Sequence, residues 1–295
     1  MNYINNIDIN EIHIELSSRC KLQCLHCSSD KMIKMGNSNF SLLQLSDFLD
    51  YFPRSCHVYF TGGEPMLSPI IYDAIQICKD KGLSVGLFST FFINDIENAM
   101  RSLNKLRLDD IYFSIYDNNS TAHDLITGVK GSFDNSLKAI SFAIKYGIQP
   151  KINLVLLKTN IDRIDEIILW FDRMGLQEIR ILKLVDHGRA TTNWERIGVS
   201  FKEQWQCAKE IFKRYGVGIH TRITYSGFPN ITPCRPFKSD YLCGAANTLL
   251  YVADDGSIYP CASQKNNPQC LIGNISDPLQ ILHPEFKSKC YIKEN

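Results

Sequence analysis

Nowhere in its 295 residues does the chain carry an apolar run approaching the roughly 18 residues that a membrane-spanning helix needs. Its opening, Met-Asn-Tyr-Ile-Asn-Asn-Ile-Asp, lacks the basic and apolar regions of a secretory signal. Neither sign of charge dominates: 32 Lys and Arg against 31 Asp and Glu leave a formal charge of +1. Bulk electrostatic attraction to nucleic acid or to an anionic membrane is therefore excluded as an organising force. There is no internal repeat and no low-complexity tract. These absences lead us to expect a cytoplasmic protein with neither nucleic acid nor membrane as a partner. The 44% hydrophobic content suffices for the core of one large domain or two modest ones.

What the chain does have is cysteine, 11 in all. In a cytosolic setting that number points to metal or redox chemistry rather than to disulfides. Three lie at 20–27 and five between 234 and 290. Cys56, Cys78 and Cys207 stand alone in apolar or helical contexts and are expected to pack in the core.

The stretch Cys20-Lys-Leu-Gln-Cys24-Leu-His-Cys27 follows a strand-like run, Glu11-Ile-His-Ile-Glu-Leu16. Three thiolates in one loop can hold three irons of a cubane [4Fe–4S] cluster, which normally has four cysteine ligands. The fourth iron is then open, and S-adenosylmethionine (SAM) can bind it through its amino and carboxylate groups. A second motif, Thr61-Gly-Gly-Glu-Pro65, ends the next strand-like run, Val58-Tyr-Phe60. Two plainer readings stand beside these. Cys20, Cys24, Cys27 and His26 make up a possible zinc set, and Gly62-Gly63 can serve only as a tight turn.

The first two-thirds alternates strand-like segments (11–16, 57–61, 84–88, 109–116, 151–157 and 178–184) with helix-like ones (41–50, 68–81, 93–103, 133–146 and 161–174). Apolar runs such as Ile152-Asn-Leu-Val-Leu-Leu157 suit parallel strands buried on both faces. Ser41 reads as the cap of the first helix, and Asn160 or Asp162 as the cap of the fifth. Six βα units imply an α/β barrel or a doubly wound sheet, and periodicity does not choose between them. In either fold, ligands sit at the carboxyl ends of strands. The cysteine loop, Gly62-Gly-Glu-Pro65, Ser89-Thr90, and Ser114 with Asp117 all fall there. Ser89 and Thr90 also read as a helix cap, and Ser114 as a small residue in a tight sheet. Asn153, an amide in an apolar strand, needs partners; SAM ribose and a satisfied core contact are both open. Residues 186–200 read as a polar connector, followed by a helix at 201–215.

The cysteine triplet and Gly62-Gly-Glu-Pro65, in this order, resemble the radical SAM superfamily. The resemblance implies an open, six-stranded partial (β/α)6 barrel over residues 1–190, with the Gly62, Gly63, Glu64 and Pro65 element meeting the methionyl amine of SAM. It places Ser114 at the SAM carboxylate or ribose, and Ser89 and Asn153 beside the cofactor. His123–Phe133 resembles a loop of peptide-modifying members; some relatives have an arginine near there, where this chain has Thr127 and Lys130. Gly188-Arg189-Ala190 is also similar to that group, with Arg189 either an anion ligand or a solvated side chain.

Residues 191–218 are expected to form a linker and helix, and 219–295 a small C-terminal domain. Leu249-Leu-Tyr-Val-Ala253 and Ser257-Ile-Tyr259 flank Asp254-Asp-Gly256, a hairpin signal. The spacing from Cys243 through Gly256 to Cys261 resembles the start of SPASM and Twitch extensions. That implies one auxiliary [4Fe–4S] cluster of the Twitch type, held by Cys234, Cys243, Cys261 and Cys290; a zinc ribbon on the same cysteines is the alternative. Cys270 is left over, as a core thiol, an exchange ligand, or a catalytic hydrogen-atom donor to a substrate radical.

The activity implied is reductive cleavage of SAM to a 5′-deoxyadenosyl radical, which takes hydrogen from a C–H bond. The electron would come from a donor such as flavodoxin or ferredoxin. A ribosomal peptide, epimerised or crosslinked, is the expected substrate, with no separate leader-binding domain expected before the barrel. An aminoglycoside-like small molecule, epimerised or dehydrogenated, is the alternative. A non-catalytic zinc-binding protein is the alternative of another class.

Overall fold

A computed structural model describes residues 9–28, 36–216, 219–228, 245 and 248–277. Six parallel strands form its centre: β1 (Glu11–Ser17), β2 (His57–Gly62), β3 (Ser84–Ser89), β4 (Asp110–Ser114), β5 (Gln149–Val155) and β6 (Glu178–Leu182). They lie side by side in sequence order. A doubly wound sheet instead reverses its order part-way, so the sheet is of the barrel kind. β7 (Arg222–Ser226) pairs parallel with β6, and β8 (Leu249–Val252) pairs parallel with the far side of β1. β9 (Ser257–Tyr259) returns antiparallel on β8, and β10 (Gly273–Asn274) follows it. Among the described residues the ten-stranded sheet ends at β10 and β7 without closing, so the barrel they form is open.

Each central strand alternates, and the alternation sorts two chemistries. Ile12, Ile14 and Leu16 of β1 join Val58, Phe60, Val85, Leu87, Ile111, Phe113, Ile152, Leu154, Ile179 and Ile181 in one apolar core. The buried faces of α1 (Leu42–Leu49), α2 (Ile71–Asp80), α3 (Ile96–Lys105), α5 (Ser132–Lys145), α6 (Ile164–Arg173) and α9 (Phe201–Tyr215) pack into that core. The opposite strand face is mixed: Glu11, His13, Glu15, Ser114, Asn153 and Arg180 line a cavity together with Phe88 and Val155. The expectation of strands buried on both faces holds, with Glu15, Tyr59, Tyr112 and Asn153 buried on the inner one. Both faces are covered, but only the outward one is a hydrocarbon core.

Local signals account for several helix ends. Ser41 and Gln44 form a capping box at the start of α1, and Ser200 and Glu203 do the same for α9. Gly128, at φ +72°, closes the further helix α4 (Ser120–Thr127) in the left-handed region. Asn160 does not cap through its side chain. It is buried, accepting from Leu157 N and donating to the Tyr116 and Val155 carbonyls. The polar connector contains two short helices, α7 (Arg189–Thr192) and α8 (Trp194–Ile197). The predicted hairpin is present, with Tyr251 opposite Tyr259. Cys56 and Cys78 are fully buried, and Cys207 packs partly buried against the core.

Candidate active site at the cysteine loop

The loop carrying Cys20, Cys24 and Cys27 leaves the carboxyl end of β1 and is fixed by backbone hydrogen bonds to three separate segments. Glu64 N donates to Arg19 O at 2.7 Å, and Gly63 N to Ser17 O at 2.7 Å. Gln23 N and Leu25 N donate to the Thr127 and Ile126 carbonyls at the end of α4, each at 2.8 Å. Arg189 N, at the start of α7, donates to Cys27 O at 2.8 Å. Two of these supports, α4 and α7, fall where the sequence read a loop and a connector.

Close approach explains the glycine at 63. A Cβ there would stand 2.1 Å from Arg19 O, so any side chain would push the two turns apart. Glu64 is 1% exposed, and its carboxylate is fully occupied by the protein. It accepts from Ser89 Oγ (2.6 Å), Thr90 Oγ1 (2.9 Å), Thr90 N (3.1 Å), Phe91 N (3.1 Å) and Met66 N (3.2 Å). Burial pushes the Glu64 carboxyl up, and the bonds from Ser89 and Thr90 oppose that rise. Pro65, buried, begins the 3₁₀ turn that Glu64 caps. Glu64 and Ser89 therefore spend their polar atoms on each other, joining the turns after β2 and β3. Phe91, held at φ +56° by this arrangement, carries backbone strain of the kind that only over-determined sites retain.

Ser114, Asn153 and Gly62 do face the cavity, which measures about 390 Å³ and also takes in His26, Tyr251, Cys261 and Lys265. Among the described residues, Asn153 Oδ1 is buried there without a hydrogen-bond partner, as are His26 Nδ1 and Arg189 Nε beside the cysteines. Such groups are costly unless something satisfies them. The His26 ring stands edge-on to Tyr116 at 4.3 Å, and burial lowers its basicity to about 3. Burial pushes the Cys20 thiol up to about 11 and the Cys24 thiol further. Cys20 and Cys27 act on each other electrostatically, and both act on Cys24; Arg189 opposes the rise at Cys20 and Cys24. Arg189, for which the sequence favoured a solvated side chain over an anion ligand, is thus the neighbour that favours thiolate.

The donor set fits a cubane cluster with SAM on its open iron: three thiols on one loop, a cation beside them, and orphaned polar atoms facing the adjoining space. A single tetrahedral zinc ion requires ligands at about 2.0–2.3 Å from one point. Among the described residues, no three His, Cys, Asp or Glu side chains converge on one metal-ion position. Cys20, Cys24 and Cys27 would hold the cluster, and Ser114 and Asn153 offer polar atoms on the SAM side.

The Radical SAM superfamily profile matches residues 14–171, more than half of the chain. The chain belongs to the radical SAM superfamily. As such it is an enzyme of a family that uses a [4Fe–4S] cluster and SAM. It is 28% identical over 178 residues to the AdoMet-dependent heme synthase of Nitratidesulfovibrio vulgaris, covering 60% of this chain and 48% of that protein. It is 25% identical over 264 residues to mycofactocin maturase MftC of Mycolicibacterium smegmatis, covering 88% of this chain and 66% of that one. In three dimensions it is similar to Streptococcus suis SuiB bound to precursor peptide SuiA, with TM-score 0.73, 16% identity, and coverage of 96% and 66%. This chain spans about half the length of the first curated relatives it matches.

In this radical SAM chain the second cysteine group is represented by Cys261, which lines the cavity, and by Cys270. Cys234, Cys243 and Cys290 lie outside the described residues. Cys270 is partly buried against Tyr251, Ala253 and Tyr259. It donates to Gln264 Oε1 at 3.2 Å, accepts from Asn267 Nδ2 at 3.3 Å, and is not in the cavity wall. The sequence pointed to neither Lys265 nor Glu15, yet both are buried at the cavity wall and paired with each other, with Tyr251 also donating to Glu15. The signal available was Glu15 itself, a charge amid Ile14 and Leu16. Among the described residues no helix is long and apolar enough to cross a membrane.

Proposed function

We propose that this chain is a peptide-modifying radical SAM enzyme. The observation that carries the reading is the junction of the three-cysteine loop and the Gly63–Glu64 turn beside a cavity that takes in Gly62, Ser114 and Asn153 near the carboxyl ends of their strands. When bound at Cys20, Cys24 and Cys27, the cluster and SAM supply a 5′-deoxyadenosyl radical that removes hydrogen from a C–H bond. The protein's own part is placement and exclusion of water. Glu64 fixes the turn that approaches Arg19. Ser114 and Asn153 present polar atoms to the cofactor. Tyr251, Glu15 and Lys265 close one side of the cavity against solvent. MftC is named a maturase and SuiB binds a precursor peptide; both likenesses support a peptide substrate over an aminoglycoside-like one.

Of the two peptide outcomes, crosslinking has the better support. Epimerisation needs a hydrogen donor at the substrate radical, and the Cys270 thiol is bonded to Gln264 rather than turned to the cavity. Crosslinking needs an electron acceptor instead. We assign that task to an auxiliary cluster on Cys234, Cys243, Cys261 and Cys290, of which Cys261 borders the cavity. A flavodoxin or ferredoxin is the proposed reductant of the first cluster.

The test is anaerobic incubation of reconstituted enzyme with SAM, dithionite and a short candidate peptide from a neighbouring reading frame, in deuterated water. A product two hydrogens lighter, without deuterium at carbon, is expected. Deuterium incorporated at an α-carbon at unchanged hydrogen count would establish epimerisation instead.

A further inference from the structure

The part of the cavity around Arg180 contributes no atom to the cofactor site derived above. Arg180 projects from β6 into the cavity with its side chain 17% exposed. Its guanidinium carbon stands 4.0 Å from the Tyr112 ring centroid, 5.7 Å from that of Phe88 and 5.9 Å from that of Tyr59. Nη2 donates to the Tyr112 hydroxyl at 2.7 Å. That hydroxyl spends its own proton on Glu178 Oε1 at 2.5 Å, so its oxygen is oriented to receive Arg180.

Among the described residues, no carboxylate comes within hydrogen-bond distance of this guanidinium. Glu178 is engaged by Tyr112, Thr224 and Arg222. Glu11 Oε1 is 4.0 Å away and lies 2.7 Å from His13 Nε2. A guanidinium has five donors in a planar fork, and a buried charge is costly without a hydrogen-bonded partner. Here the ring cage fixes the plane, one donor is used inside the protein, and the group borders open space.

The geometry points to Arg180 as the anchor for a carboxylate of the substrate, carried on an aspartate or glutamate side chain of the peptide. The carboxylate chemistry rests on the cage alone; the peptide as its carrier rests on the function proposed above. Planar, bidentate pairing is what this fork offers. A dianionic phosphate fits less well, because Glu11 stands beside the same cation. Tyr112 and Glu178 are then positioning residues, acting through the guanidinium rather than on substrate.

Binding to the cluster-loaded, SAM-bound enzyme tests this without turnover. The probes are the capped tripeptide acetyl-Gly-Glu-Gly-amide, its Gln counterpart, and free glutarate, each titrated calorimetrically. The Glu peptide should bind at least ~10-fold more tightly than the Gln peptide, or about 1.4 kcal/mol. Arg180→Gln should erase that preference while near-ultraviolet dichroism and iron content stay as in the wild type. Arg180→Lys, which keeps the charge and loses the fork, should retain only part of it. Equal binding of the two peptides by wild type, or a preference that survives in Arg180→Gln, would overturn the assignment. Glutarate binding tighter than the Glu peptide, and lost in Arg180→Gln, would uphold the carboxylate anchor and overturn the peptide as its carrier.

Discussion

The Glu64 carboxylate accepts a 2.6 Å hydrogen bond from the Ser89 hydroxyl, tying the turn after β2 to the turn after β3. Four further donors, from Met66, Thr90 and Phe91, complete its shell. Bonds to a buried charged group are worth about 1.5–3 kcal/mol each in mutational terms. Ser89→Ala should therefore lower stability by about that amount in urea denaturation. It should also weaken SAM binding in equilibrium dialysis, because the Gly63 turn shares this support. Unchanged stability would mean that the bond is replaced by water.

The Glu15–Lys265 pair joins β1 to the segment after β9 and is almost fully buried, Lys265 being 5% exposed. Burial pushes the Glu15 carboxyl up, and Lys265 and Tyr251 oppose that rise. Removing one partner of a buried pair typically costs about 3–5 kcal/mol, because the other charge is left behind. Lys265→Met should show that loss. The double variant Glu15→Gln/Lys265→Met should recover part of it. A double variant as unstable as the sum of the two single ones would show that the residues do not interact.

Glu178 supplies a pH dependence. Burial pushes its carboxyl up, but hydrogen bonds from Tyr112 and Arg222, with the nearby Arg180 charge, outweigh that and hold it below its ordinary range. The unfolded carboxyl titrates near 4.3. Because the folded value is the lower one, the stabilisation is complete above that pH and is lost as pH falls through the folded value. Urea midpoints of wild type and Glu178→Gln should be well separated at pH 6 and converge as the solution is acidified below about pH 4. A gap that stays constant with pH would remove the linkage.

The cysteines divide into two groups by consequence. Cys56 and Cys78 are fully buried among apolar side chains. Cys78→Ala should cost about 1 kcal/mol or more of stability through the small cavity it leaves, with iron content unchanged. Iron lost from Cys78→Ala while the fold is intact would contradict the division.

Much of this fold was legible in the sequence, for physical reasons that also explain what was not. Strand positions were read from apolar runs and helix starts from Ser41-type caps, and both signals are local. Strand order is not local, so barrel and doubly wound sheets looked alike until β1 was found between β2 and β8. On the inner face the sequence singled out Gly62, Ser114 and Asn153, whereas Glu11, His13, Glu15 and Arg180 lie within strands where a charge amid apolar residues does not reveal which face it takes. Glu64 and Ser89 were placed correctly at strand ends, but their mutual bond spans 25 positions and has no signature in spacing. Lys265 meets Glu15 across 250 positions, and nothing in either neighbourhood announces the other.

The central claim is that Cys20, Cys24 and Cys27 hold a cluster on which SAM is reductively cleaved. Its most direct measurement is 5′-deoxyadenosine released from SAM by anaerobically reconstituted enzyme with dithionite, wild type against Cys24→Ala. The account predicts release by the wild type and only background from the variant, with iron lost to match. Release by Cys24→Ala at the wild-type rate, or none from an iron-loaded wild type, would contradict it.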